Sequence, residues 1–262
     1  MEGKMNMRPS VVLEKLRAGK TVSCIKINTA DSRVVEIAAM CGFDCIWTDM
    51  EHVANNYSVI EGQILAAKAH GADCLVRVVR GSYSDHVRPL ELDAAGIMVP
   101  HLMGLEDAQK VVWNTRFFPI GRRPLDGGNA DGAYCLVDTA DYVKQANRER
   151  FVVVQIEDPE PLPELDAICA LEGIDMIFFG PGDFSQGIGD PCNFSNPRIA
   201  ETRRLIAEAA LRHGKFAGTV GSPANLKELY GMGYRFISLG ADVVGLINYF
   251  KETAAAFSDL PR

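Results

Sequence analysis

The sequence predicts a single (β/α)8 barrel, of the TIM type, spanning residues 1–262 as one domain. Three observations predict it. Eight short apolar runs, rich in Val, Ile and Phe, alternate with helical patterns, and such alternation builds a parallel sheet with right-handed crossovers that closes at eight units. The length of 262 residues suits one such barrel, which commonly takes about 250. Charged residues gather where the apolar runs end, and in parallel α/β proteins that is where ligands bind. An open doubly wound sheet is the alternative. It usually carries a Gly-rich turn after its first strand, and Asn28-Thr29-Ala30-Asp31 is not one.

In chain order, 22–27 reads as the first strand. Asp31 or Ser32 caps the next helix, with Val34, Val35, Ile37, Ala38 and Met40 on one broad apolar face, and Gly42 ends it. The second strand starts at Cys45 and leads into Asp49, Glu51 and His52. A helix over 58–69 places Ile60, Ile64, Leu65 and Ala67 inward. The third strand, 74–79, sets Arg77 in an apolar run, and Pro89 is expected in the first turn of the helix that follows. The fourth strand is 96–100, with His101 at its end. The stretch 105–150 holds a helix and then a long Gly-rich loop, a length that suits a functional or contact surface. Its Arg122 and Arg123 offer an anion contact, or simply line a solvated loop. Strands at 151–156, 175–179, 216–220 and 236–239 complete the set, with a helix at 199–212 and an amphipathic helix at the end.

A net charge of -7 argues against nucleic-acid or anionic-membrane partners. Seven cysteines without a Cys-x-x-Cys pair suit reduced thiols. The N-terminus leads into no apolar signal region, and no run is long enough to span a bilayer. These point to a cytoplasmic protein.

On the barrel reading, one face collects Asp49, Glu51, His52, Arg77, Gln155, Glu157 and Asp183. Glu157 and Asp183 leave adjacent strands as carboxylates, a donor pair for a hard divalent ion such as Mg2+ or Mn2+. Solvated turn acids, or Asp183 as a helix cap, are the plainer reading. Arg77 in its apolar run needs an acidic partner or an anionic ligand. Gly180-Pro181-Gly182-Asp183 suits close backbone approach and free N–H groups for a small carboxylate. A metal, an arginine and such a cradle fit a 2-oxo acid. The cations would polarise its keto oxygen, and a base would remove a methyl proton to give an enolate.

These residues resemble the class II pyruvate-dependent aldolases, the HpcH/HpaI family. The resemblance is carried by Glu36-Ile37-Ala38-Ala39 through Gly42-Phe43-Asp44, then Asp49-Met50-Glu51-His52 and Val76-Arg77. Val99-Pro100, Gln155-Ile156-Glu157, Gly180-Pro181-Gly182-Asp183-Phe184-Ser185, Gly221-Ser222-Pro223-Ala224 and Gly240-Ala241-Asp242 follow in the family's order. It covers roughly residues 10 to 250. It implies a pyruvate-type barrel, a divalent metal (Mg2+, Mn2+ or Co2+), and cleavage of a 4-hydroxy-2-oxo acid to pyruvate and an aldehyde in sugar-acid or aromatic catabolism. His52 would be the base, Arg77 the enolate stabiliser, Glu157 and Asp183 the metal ligands. Gln155, Gly182 and Asp183 would contact substrate, and Glu91, or nearby Asp93, would support His52. Relatives form hexamers, so a homo-trimer or homo-hexamer is expected, with the C-terminal helix packing on a neighbouring subunit.

Two departures border the site. Lys26 stands where many relatives carry an aromatic residue. Pro124 follows Arg122-Arg123 where a glycine is usual. Competing readings are a citrate-lyase-like or malyl-CoA-lyase-like enzyme using another electrophile, a Schiff-base aldolase on Lys26, and a non-catalytic oxo-acid-binding protein.

Overall fold

The structure is a computed structural model that describes residues 4–258 and 260. Eight parallel strands close into a barrel in sequence order. They are β1 (Val22–Lys26), β2 (Cys45–Asp49), β3 (Asp73–Arg77), β4 (Gly96–Val99), β5 (Phe151–Ile156), β6 (Met176–Phe179), β7 (Phe216–Gly221) and β8 (Phe236–Ala241). The helices are α1 (Val11–Arg17), α2 (Ser32–Met40), α3 (Tyr57–Ala69), α4 (Tyr83–Glu91), α5 (Leu105–Thr115) and α6 (Thr139–Glu149). The set continues with α7 (Leu165–Ala170), α8 (Pro181–Gly187), α9 (Pro197–Arg212), α10 (Leu226–Gly231) and α11 (Asp242–Ala255). Every expected strand is present, so the (β/α)8 barrel read from the sequence is the fold. Among the described residues, no helix is long and apolar enough to cross a membrane.

Period-2 alternation divides each strand between two cores. Ile46, Cys74, Val76, Ile97, Val152, Val154, Ile177 and Phe179 face outward onto the helices. Val22, Cys24, Cys45, Trp47, Leu75, Met98, Phe151, Val153 and Phe178 fill the barrel. Continuing that inward series one step toward the carboxyl end turns it polar. Cys24 is followed by Lys26, Trp47 by Asp49, Leu75 by Arg77, and Val153 by Gln155 and then Glu157. The strand pleat therefore delivers five polar side chains to one mouth.

The opposite mouth is plugged by α1, whose Val12, Leu13 and Leu16 join the interior core. Ser10 caps that helix through Leu13 N–H and donates to the buried Asp73 carboxylate at 2.6 Å. Arg8 pairs with the same carboxylate at 2.8 Å. The sequence reading had no helix here.

Three other local expectations change. Pro89 lies near the end of α4, because the Ser82–Asp85 capping box starts the helix earlier. Ile37, Met40 and Leu65 are exposed, so the buried stripes of α2 and α3 are narrower than the apolar pattern. His86 is buried and accepts from Asn114. The long stretch after α5 is not one loop. It contains α6, capped by Asp138, and packs its own cluster of Met7, Phe117, Val137, Tyr142 and Ala146. Arg123 is consumed within it, donating to Asp131 at 2.7 Å and to the Tyr142 hydroxyl at 3.1 Å. Arg122 stacks over Trp113 and Phe118.

The tight interior makes one substitution diagnostic. Gly96 pairs with Phe151 across β4 and β5, and a Cβ there would lie 2.4 Å from the Phe151 ring. Gly96→Ala should destabilise the barrel by about 1–3 kcal/mol, the usual range for overpacking. A urea midpoint equal to that of the wild type contradicts this packing.

Candidate active site at the carboxyl ends of the strands

Asp49 and Arg77 are register partners on β2 and β3, and both point inward. The Arg77 Nε donates to Asp49 Oδ1 at 3.0 Å. The Lys26 Nζ lies 2.8 Å from Asp49 Oδ2, and the Glu51 N–H donates to Oδ1 at 3.0 Å. Burial pushes the Asp49 carboxyl up, but Arg77 and Lys26 outweigh it and hold it at about 2. Both cations also lie over the Trp47 ring, at 5.0 and 5.3 Å. Arg77 reaches onward to Glu51 Oε2 at 2.9 Å.

Across the mouth, Glu157 follows β5 and is fully buried. Gln155 Nε2 and the His101 backbone N–H both donate to it, the latter at 2.9 Å. Burial pushes its carboxyl up; the His101 N–H and imidazole pull it down, Asp183 and Glu51 push it up, and the balance is about 7. Gly180 keeps this corner open, since a Cβ there would meet Glu157 Oε2 at 2.6 Å and Gln155 Nε2 at 2.8 Å. Asp183 lies in the first turn of α8, where backbone N–H groups are free of helical partners.

His101 completes the cluster. Its Nδ1 lies 2.8 Å from Asp158 Oδ2, and its Nε2 lies 3.5 Å from Glu51 Oε1 and 3.8 Å from Glu157 Oε1. Glu51, His101 and Glu157 place one ligand atom each within 4.8 Å of one another. Gln155 Oε1 is buried without a hydrogen-bond partner among the described residues. Such a donor set, with one carboxyl raised by burial and by its acidic neighbours, fits a divalent ion.

The structure thus brings Asp49, Glu51, Arg77, Gln155, Glu157 and Asp183 to one mouth, with Gly182 in the adjoining helix turn. His52 lies at the rim on the turn after β2, its side chain 54% exposed and 3.6 Å from Glu51. Glu91 lies elsewhere. It ends α4 at the opposite end of the barrel, where burial pushes its carboxyl up and Arg123 and Asp131 are the nearest strong charges. Asp93 is there too, paired with Arg150 and Lys68. A helix returning antiparallel to its strand carries its last turn away from the catalytic face, so within one chain neither acid reaches His52. Sequence reasoning gave no role to His101, Asp158 or the Lys26–Asp49 pair. A histidine directly after the strand-ending Val99-Pro100 was the available signal.

The raised Glu157 carboxyl has a pH consequence. Its value rises from 4.5 to about 7 on folding, so in chelator it costs nothing below about 4.5 and its full penalty above about 7. Glu157→Gln removes that penalty. Relative to wild type, the variant should therefore gain up to about 3 kcal/mol as pH rises through this window, at about 1.4 kcal/mol per pH unit. Urea unfolding in chelator at about pH 5 and pH 8 reads it, and an unchanged gap refutes it.

Known proteins match over nearly the whole chain. A 2-keto-3-deoxy-L-rhamnonate aldolase from Salmonella gallinarum (strain 287/91 / NCTC 13346) is 32% identical over 252 residues, covering 94% of this chain and 92% of that one. The crystal structure of an HpcH/HpaI aldolase from Desulfitobacterium hafniense DCB-2 superposes with a TM-score of 0.89 at 28% identity, covering 95% of this chain and 97% of that one. That of citrate synthase SbnG superposes at 0.85, also at 28% identity, covering 93% and 95%. The model of the HpcH/HpaI aldolase/citrate lyase family matches residues 25–248. The resemblance read from the Asp-x-Glu-His and Gly-Pro-x-Asp motifs is borne out, and with it the aldolase-type lyase reading: the chain belongs to the HpcH/HpaI aldolase/citrate lyase family.

Proposed function

We propose that the chain is a divalent-metal-dependent aldolase that reversibly cleaves a 4-hydroxy-2-oxo acid to pyruvate and an aldehyde. The observation that carries this is the single mouth in which Arg77 faces a carboxylate cluster beside the open Gly180 corner. Similarity to a 2-keto-3-deoxy-L-rhamnonate aldolase supports a sugar-derived 2-oxo acid as substrate.

A divalent ion held at Glu157, with Asp183 and the neighbouring donors, supplies Lewis-acid polarisation of the keto oxygen. The chain does the rest. The amides of Gly182 and Asp183 and the side chain of Gln155 orient the oxo acid. Arg77, fixed by Asp49, puts a permanent positive charge beside the oxygen on which negative charge develops. In cleavage the C4 hydroxyl passes its proton to His52, the C3–C4 bond breaks, its electron pair forms the enolate, and C4 leaves as the aldehyde carbon. His52 is the group for proton transfer at C3, which becomes the pyruvate methyl. Its exposed place at the rim, beside Glu51, suits exchange with solvent. The Schiff-base route is disfavoured because Lys26 is engaged by Asp49 at 2.8 Å. That same cation favours one variation: an electrophile bearing a carboxylate, in keeping with similarity to a citrate synthase.

Pyruvate methyl exchange in D2O, followed by NMR without any aldehyde, tests the chemistry. Placed bases contribute about a hundred- to ten-thousand-fold, so His52→Ala should slow exchange at least about a hundredfold while pyruvate still binds. Arg77→Ala should weaken both exchange and binding. Chelation should stop turnover and Mg2+, Mn2+ or Co2+ should restore it. Full turnover after exhaustive metal removal, or pyruvate trapped on Lys26 by borohydride, sinks the proposal.

The active form is a homo-oligomer, a trimer or hexamer, in which α11 packs on a neighbouring subunit. Support comes from α11 itself, which buries only Asp242 and exposes Val244, Ile247, Tyr249 and Phe250. An apolar helix this uncovered needs a partner surface. Light scattering at micromolar concentration should give a trimeric or hexameric mass; a monomer rules it out.

A further inference from the structure

We propose that His101 is a nitrogen ligand of the bound ion, acting with Glu51 and Glu157, and that this mixed set favours Co2+, Ni2+ and Zn2+ over Mg2+. The inference rests on the divalent-metal reading above and deepens it. Carboxylates alone suit hard ions such as Mg2+, whereas an imidazole shifts preference toward the borderline transition ions.

The geometry is specific to His101. Asp158 accepts the Nδ1–H at 2.8 Å, which fixes the tautomer and leaves the Nε2 lone pair inward. That lone pair faces Glu51 Oε1 at 3.5 Å and Glu157 Oε1 at 3.8 Å. The three groups converge on one point that calls for a positive charge, whether a proton on Nε2 or an ion that displaces it. Ligands about 2.1 Å from a tetrahedral ion lie about 3.4 Å apart, close to these separations. A carboxylate behind a metal-bound histidine is the usual arrangement that orients such a ring. His101 also holds a left-handed backbone, φ 48°, on a residue with a side chain. Strain of that kind persists where the surroundings enforce it. Here the enforcing contact is its own N–H, which donates to Glu157 at 2.9 Å and so locks the ring to the same carboxylate.

The test is ion binding to the purified protein, with no oxo acid present. Calorimetric titration with Co2+ and Mg2+ should find Co2+ the tighter by at least tenfold. His101→Asn is the variant of choice, since asparagine tolerates the left-handed backbone. It should lose most of that Co2+ preference and leave Mg2+ affinity nearly unchanged. Asp158→Asn keeps the ring but loosens it, and should cost about 10–100-fold in Co2+ affinity. Proton NMR of the Co2+-loaded protein should display a strongly shifted exchangeable N–H signal that vanishes in D2O and in His101→Asn. Persistence of that signal in His101→Asn overturns the proposal. So does an unchanged Co2+ to Mg2+ ratio in that variant, above all if Asp183→Asn weakens both ions. Because no turnover is measured, a protein that binds ions as described but fails to exchange pyruvate protons counts against the aldolase reading alone.

Discussion

The contact between Asp49 and Arg77 is the constraint around which the catalytic mouth is built. Both groups are buried, and their pairing, with Lys26 on Asp49 and Glu51 on Arg77, offsets that burial. Removing one would leave the other with a single remaining partner, Lys26 for Asp49 or Glu51 for Arg77. The pair also spans β2 and β3 at matched register, so it holds the two strands at the height where the interior turns from apolar to polar. Lys26 adds a third strand by engaging the same carboxylate. Trp47 beneath them supplies the face over which both cations lie. Three of the eight strands are thus tied to one carboxylate.

That arrangement separates two electrostatic regimes across a single mouth. On the β1–β3 side, Asp49 has two cations and is held at about 2. On the β5–β6 side, burial outweighs the His101 N–H and imidazole, and with Glu51 and Asp183 near it the Glu157 carboxyl rises to about 7. Two acids in one site with such different values mark different tasks. The first is structural and positions the Arg77 guanidinium. The second is not fully offset by His101, and an ion is a natural counter-charge. His101 links the halves, with its ring between Glu51 and Glu157 and its outer nitrogen on Asp158.

The closed end of the barrel follows a different logic. It is sealed by apolar residues of α1 and by ion pairs on Asp73 and Asp93. Glu91 belongs to that end. Its distance from His52 shows how a motif offset that looks local in sequence can cross the full height of a barrel, because each helix reverses the direction of its strand.

The sequence by itself determined the barrel and the inward polar series. Period-2 alternation with buried apolar runs is a local signal, and one residue's slip would have turned Asp49, Arg77 and Gln155 outward. The family motifs were equally local, each confined to one strand and its following turn. The tertiary structure alone decided three matters. It decided that His101 and Asp158, 57 residues apart, meet at 2.8 Å, since such contacts depend on which loops neighbour one another around the ring. It decided that Arg123 is spent on Asp131 and Tyr142 inside a small separate core, which composition read as an open loop. It decided that Lys26 faces Asp49, because the parallel pairing of β1 with β2 aims both side chains at the same interior point. Pattern fixes which face a residue occupies; only the closed sheet fixes which residues share it.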